Sequence, residues 1–395
     1  MSEGLGRFSQ SLGPTDEPWP GLANLSESIF ASMGAAGFRN AFNVERSHST
    51  CLLLIDGLSW NLLEAHAHRA PFLASLMQAK RTFRVGFPAT TAASLSSLTS
   101  GHASGAHGIV GCSFALDANT VFAPLVWQTG TRNTGIRATA APGAREFIKQ
   151  KTAWERAHEG GIAVSSVIDG RFAGSSFSQA IYKAGSVMAA LNFRDFPGLI
   201  AGALKSELPA FCYAYYSDLD FCGHRYGPGS ERWLRQLEVV DRLALSISQS
   251  LPRETAMVIV ADHGMVTLAK EATHDFDKDT ALQEGVIGLY GDVRARHVYT
   301  ASDQEHAVRE RWQNRLGDDF WVLSKAEAIA AKWFGSGVES DAEARIGDLV
   351  VIPTGRGGVI RSRMEKVQSA WIGHHGALTD EDQVVPLLVC SGQAM

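Results

Sequence analysis

The sequence predicts an α/β fold: a doubly wound, mostly parallel sheet with helices on both faces and a small inserted α+β cap. Three observations carry this. Short apolar runs alternate with helix-like stretches, the pattern of a parallel sheet covered on both faces. Several runs end in a chemically active side chain, and open α/β sheets bind ligands beyond their strands' carboxyl ends. The 395 residues, 45% hydrophobic and 19% charged, suit a globular protein with a large core.

The elements follow in order. Residues 1–47 read as a polar, turn-rich lead-in with one helical patch near 25–36. Residues 48–395 read as the core, whose first strand, 50–55, is a continuous apolar run ending in Asp56-Gly57. Further strands are expected at 161–168, 210–216, 256–260, 348–352 and 384–390, with a long amphipathic helix at 232–251. Segment 285–337 differs: ARHVYT and DFWVLS read as strands, 305–316 and 325–334 as helices. It reads as the cap, with Arg294, Arg296, His297 and Trp333 as candidates to line a pocket mouth.

Composition excludes several classes. A formal charge of -5 argues against a broad nucleic-acid surface. No apolar stretch is long enough to span a bilayer, and the N-terminus lacks the basic and apolar regions of a signal peptide. The five cysteines, Cys51, Cys112, Cys212, Cys222 and Cys390, are odd in number and lack CxxC spacing, which fits a reduced, cytoplasmic location. Oligomeric state is not readable from sequence.

Five stretches carry the chemistry. LLLIDG supplies Asp56, and FPATTAASLSSLTSG supplies Thr90 and Thr91. YYSDLDFCGH supplies Asp218, Asp220 and His224, VIVADHGM supplies Asp262 and His263, and IGHHGA supplies His374 and His375. Together they offer carboxylates, imidazoles and a hydroxyl, enough for a two-metal site that clamps attacking and leaving oxygens at phosphorus. Thr90 or Thr91 begins a helix of small residues that Gly101 would stop. Free amides and the helix dipole there favour an alkoxide and a phosphoryl oxygen. Gly223 and Gly227 would permit loop turns that bring Asp220 and His224 to one ion, and His374 and His375 read as a glycine-flanked loop. Each stretch alone has a plainer reading, such as a threonine cap or a turn aspartate. The set of five does not.

In this order the runs LLLIDG, FPATTAASLSSLTSG followed by HGIVG, DFCGHRYGPG, ADHGM and HHG resemble the alkaline phosphatase superfamily. The closer resemblance is to its nucleotide pyrophosphatase/phosphodiesterase branch, from about residue 50 to the C-terminus. It implies an alkaline-phosphatase-like core and two divalent metal ions per chain, usually Zn2+, with Mn2+ or Fe as alternatives. It implies Asp56, Thr91, Asp262 and His263 at one ion and Asp220, His224 and His375 at the other. Thr91 matches the fifth residue of the F-P-x-x-T run, and His375 immediately precedes Gly376. The implied reaction is hydrolysis of a small-molecule phosphate diester, a nucleotide among the candidates, through a phosphothreonine. Phosphomonoester or phosphonate hydrolysis on the same metals is the alternative, and a silent metal-binding homologue is a third reading. The sequence departs from the branch at Ala92-Ala93-Ser94, where it has F-P-N, and at Cys112, where asparagine is usual. The resemblance implies that both departures fall where the branch grips its substrate.

Overall fold

A computed structural model describes residues 21–77, 80–131, 135–136 and 141–391. The first part of the lead-in, 1–20, lies outside the described residues. The principal strands in chain order are β1 (Ser49–Ile55), β2 (Ala163–Asp169), β3 (Ser186–Ala190), β4 (Ala210–Tyr216) and β5 (Thr255–Val260). They are followed by β6 (Val286–Asp292), β7 (Ala295–Thr300), β8 (Phe320–Ser324), β9 (Leu349–Pro353) and β10 (Leu388–Ser391).

The central sheet has six strands in the order β10-β5-β1-β4-β2-β3, all parallel except the edge strand β10. Strands β1 and β4 are buried along their whole length, which explains why each reads as an unbroken apolar run. The pleat of β4 shows helices on both faces. Phe211 and Tyr213 meet Phe30 and Trp154 from the helices Leu22–Ser32 and Ala153–Glu159. On the other face Tyr216 meets Phe196 of the helix Asp195–Ala203 and accepts a hydrogen bond from Gln236 of the long helix Glu231–Ser250. That long helix turns Trp233, Leu237, Val240, Ala244 and Ile247 inward, the spacing its sequence showed.

A second, antiparallel sheet runs β6-β7-β9-β8, with the helix Glu305–Leu316 packed on it and Trp312 fully buried beneath. Here the expectation for 348–352 fails: β9 joins this sheet, not the parallel one. A run buried on both faces looks the same in either sheet. The run at 384–390 is two strands, because Pro386 ends Val384–Pro386, which pairs with Thr82–Arg84, before β10 begins at Leu388. The helix expected at 325–334 stops at Ala330.

Candidate metal centre

Each implicated side chain is set by a strand end or helix start. Asp56 follows β1, and Asp262 and His263 follow its neighbour β5. The chain turns sharply there: a Cβ on Gly264 would lie 1.9 Å from the Glu381 carbonyl oxygen, so no other residue fits. Thr91 is the first residue of the helix Thr91–Ser100, every residue of which is buried, and Gly101 ends it in the left-handed conformation. Thr90 occupies the capping position, yet its hydroxyl makes no cap bond and has no partner. The Thr91 hydroxyl instead lies 3.1 Å from His263 Nε2.

The D-x-x-G-H residues do not form the expected loop. Asp220 and His224 lie one turn apart on the helix Asp218–Tyr226, with Oδ2 and Nε2 3.2 Å apart. Four-residue spacing puts them on one helix face without any loop turn. Gly223 serves packing, since a Cβ there would come 2.3 Å from Met265 Sδ, and Gly227 (φ 86°) ends the helix. His374 is likewise not in a loop but in a short strand, Gly373–His374, paired antiparallel with Val266–Thr267.

Two overlapping groups result. Ligand atoms of Asp220, His224 and His375 lie within 4.8 Å of one another, as do those of Asp56, Asp220 and His263. Asp220 belongs to both. Asp262 is in neither, but its Oδ2 is 3.6 Å from His263 Nε2 and its Oδ1 accepts from Gly57 N at 3.3 Å. The His263 and His375 rings stack at 3.6 Å.

Backbone carbonyls orient three of the histidines. Nδ1 of His224 donates to Gly373 O (2.8 Å), that of His263 to Gly264 O (2.9 Å) and that of His375 to Ala89 O (2.9 Å). A carbonyl can only accept, so a proton sits on each Nδ1 and Nε2 is the nitrogen turned to the cluster, the one a metal would take. His374 is reversed: its Nε2 is bound to Trp371 O at 3.2 Å. This separates the adjacent pair.

The electrostatics fit cations. Asp56 Oδ1, Asp220 Oδ1 and Asp262 Oδ2 are buried without hydrogen-bond partners, and such groups are costly unless an ion answers them. Burial, then the Asp262 and Asp220 charges, push the Asp56 carboxyl well above its usual range. Burial would raise Asp220 too, but His224, through its charge and its hydrogen bond, outweighs it and, with a smaller contribution from His263, holds it low. Burial and the neighbouring imidazoles keep His375 neutral, as a ligand must be. An oxygen and imidazole donor set of this kind suits a borderline or hard divalent ion.

Sequence reasoning missed two residues. Tyr215 donates its hydroxyl proton to Asp56 Oδ2 from the neighbouring strand, where it sits beside Leu54. Asp292, at the end of β6, lines the cavity over the centre and accepts from Cys112 N at 3.4 Å. The only available signals were a tyrosine on an apolar strand and an aspartate before a turn. Arg294, Arg296 and His297 do not line the mouth. Arg294 pairs with Asp382 at 2.6 Å, Arg296 with Glu365 at 2.7 Å, and His297 bonds Val110 O and Gly347 N. Trp333 is buried against Phe87. His107 is also structural, held by Ser97 and Ile109 N.

Residues 50–378 match the Type I phosphodiesterase / nucleotide pyrophosphatase family. The chain belongs to that family. Its fold is similar to murine ectonucleotide pyrophosphatase/phosphodiesterase 5, an inactive threonine-to-alanine variant in complex with AMP. The TM-score is 0.62 at 16% identity over 86% of this chain and 87% of that one. The human counterpart gives 0.62 at 17% identity over the same shares. Among curated proteins, the catalytic subunit of human GPI ethanolamine phosphate transferase 3 is 22% identical over 282 residues, 65% of this chain. The mouse protein is 27% identical over 97 residues, 23% of this chain. The matched stretches span 22% and 8% of those relatives' own lengths. No helix among the described residues of this phosphodiesterase-family chain is long and apolar enough to cross a membrane.

Proposed function

We propose that the chain is a hydrolase of phosphate diesters that depends on two divalent ions and works through a phosphothreonine on Thr91. The observation that carries this is the Thr91 hydroxyl, 3.1 Å from His263 Nε2, at the start of a buried helix and beside the carboxylate cluster. Bound divalent ions would supply Lewis acidity and neutralise charge on the attacking and leaving oxygens. Asp56, Asp262 and His263 would hold one ion, and Asp220, His224 and His375 the other, with Zn2+ the first candidate and Mn2+ or Fe the alternatives.

The chain's own groups do the rest. Tyr215 orients Asp56. The free amides of the first helical turn would face a non-bridging phosphoryl oxygen. Thr91 Oγ forms a bond to phosphorus as the ester bond to the departing alcohol breaks, and water later cleaves the phosphothreonine. The AMP complex of the murine relative, in an inactive threonine variant, supports a threonine nucleophile and makes a nucleotide one candidate ligand.

A diester is favoured over a monoester because the cavity's arginines are engaged elsewhere. Arg171 is bound by Asp169 and Asp218, and Arg361 by the Leu289 carbonyl. Bis-p-nitrophenyl phosphate should therefore be cleaved at least about tenfold faster than p-nitrophenyl phosphate, as one unmatched charge implies. A chelator should abolish both activities. Faster monoester cleavage would refute the diester reading, and chelator-resistant turnover would refute the metal reading.

A second reading has one observation behind it. The ethanolamine phosphate transferases bear a transfer function in their name, so an alcohol in place of water would resolve the same phosphothreonine. Product analysis with added ethanolamine or glycerol separates transfer from hydrolysis. We also propose that segment 285–337 acts as a cap that tunes substrate choice, since Asp292 and Tyr290 reach the cavity from it. The five free cysteines favour a reducing, cytoplasmic location, which cell fractionation would test.

A further inference from the structure

Three consecutive residues, Trp371, Ile372 and Gly373, close around His224. The Trp371 ring lies on the imidazole with centroids 4.0 Å apart and planes 28° from parallel. Ile372 N donates to the His224 carbonyl oxygen (2.8 Å), and the Gly373 carbonyl accepts from Nδ1 (2.8 Å). The two backbones approach too closely for a side chain between them: a Cβ on Gly373 would come 2.5 Å from both Gly223 O and Met265 Sδ. The same segment reaches His375 two residues later, so it links two ligands of one candidate ion. His374 donates from Nε2 to Trp371 O at 3.2 Å and thereby fixes the tryptophan's backbone.

Ordinary aromatic packing is the plainer reading of such a contact. The freedom of an imidazole points further. Its χ2 torsion is broad, with no staggered well to hold the ring plane. One in-plane hydrogen bond at Nδ1 fixes a point but leaves the ring free to rock about that bond. A flat face laid against the ring removes the rocking and keeps Nε2 aimed at Asp220 Oδ2, 3.2 Å away. The other two imidazoles need no tryptophan for this, because His263 and His375 stack on each other at 3.6 Å and 16°. Both neighbouring histidine rings are oblique to His224, His375 at 46° and His374 at 74°. Trp371 is thus the one near-parallel neighbour of His224 among the described residues, and it also lines the cavity over the centre.

We infer that Trp371 is a positioning residue: it sets the His224 ring plane for the ion that Asp220, His224 and His375 would hold. It has no such part at the ion of Asp56, Asp262 and His263. The inference rests on the two-ion reading above.

The test compares the full chain with Trp371→Leu, which keeps apolar bulk without a flat face, and Trp371→Phe, which keeps the face. Zinc is removed and titrated back against a chromophoric chelator, so that both dissociation constants are read from one preparation. In Trp371→Leu one constant should rise about 10- to 100-fold, the usual effect of losing a partner that orients a metal ligand, while the other stays within about threefold. Trp371→Phe should recover most of the loss. Cobalt in place of zinc gives a readout independent of turnover: the visible absorption of one Co2+ ion should change in Trp371→Leu, and that of the other should not. Cleavage of bis-p-nitrophenyl phosphate should need correspondingly more zinc, with kcat at saturating zinc within severalfold of wild type. A wild-type chain that takes up no zinc, or one ion alone, would overturn the two-ion reading itself. Two tight ions in the wild type with both constants unchanged in Trp371→Leu would overturn the inference alone. So would a raised KM with unchanged zinc binding, which makes Trp371 a wall for substrate, or equal weakening of both ions, the mark of a general loss of structure.

Discussion

The Thr90–Thr91 pair shows how two identical side chains acquire different roles. Thr90 is at the helix cap in an extended conformation, and its hydroxyl is buried and without a partner. Thr91 is one position on, and its hydroxyl meets His263 Nε2. Thr91→Ala should therefore cut diester turnover by about three orders of magnitude or more, as loss of a nucleophile does, with little change in stability or metal content. Thr90→Ala should stay close to wild type. Steady-state rates and metal analysis of both variants check this, and the reverse ranking would place the nucleophile at Thr90. Both threonines were legible as a helix start. So were the aspartates and histidines that gather here, because each ends or follows a strand or carries a local spacing. What separates His375 from His374 is the carbonyl each ring meets, Ala89 O on Nδ1 or Trp371 O on Nε2, and that depends on residues far away in the chain. Tyr215 was illegible for the same reason: its bond to Asp56 depends on the β1–β4 register.

At the scale of elements, local pattern sets secondary structure well and partnership poorly. The strands β1, β4 and β5 were readable because burial on both faces leaves an apolar run with a polar residue just beyond it. Strand β3 was missed because it is a short, only partly buried edge strand, and its four-residue apolar run at 187–190 is too brief to stand out. The second sheet was readable in part from 285–337, but its strand β9 comes from residues after that segment. One buried pair ties this sheet to the His375 segment. Arg294 follows β6 and donates to both carboxylate oxygens of Asp382, at 3.0 and 2.6 Å, and to Gly357 O. Asp382 Oδ1 in turn accepts from Ala377 N at 3.3 Å, two residues past His375. Arg294→Ala leaves Asp382 charged, fully buried and unpaired, which should cost about 3–5 kcal/mol of stability. Urea unfolding of the variant measures it. A loss below about 1 kcal/mol, the scale of an exposed pair, would mean that the pair does not hold the sheet in place.

For the whole molecule, the candidate metal centre joins most of the fold. Asp56 and Asp262 come from the parallel sheet, Asp220 and His224 from a helix beyond β4, and His375 from the segment tied to the second sheet. Without ions, three carboxylates would remain buried at this junction with unanswered oxygens, and the Asp56 carboxyl is already pushed up by burial and its neighbours. Divalent ions would thus act as cross-links between parts of the chain distant in sequence, and their binding energy would add to folding. Two sites each held at about a hundredfold over Kd would contribute ~2.7 kcal/mol apiece. For a chain of this length that is a rise in Tm of about 5 °C or more. Thermal unfolding of chelated and zinc-reloaded protein should show that rise together with recovery of diester cleavage. Metal analysis of the reloaded protein should find about two ions per chain. A single ion with full activity would overturn the two-metal reading. Recovery of activity without any rise in Tm would show instead that the junction is held by packing alone and that the ions serve only the chemistry.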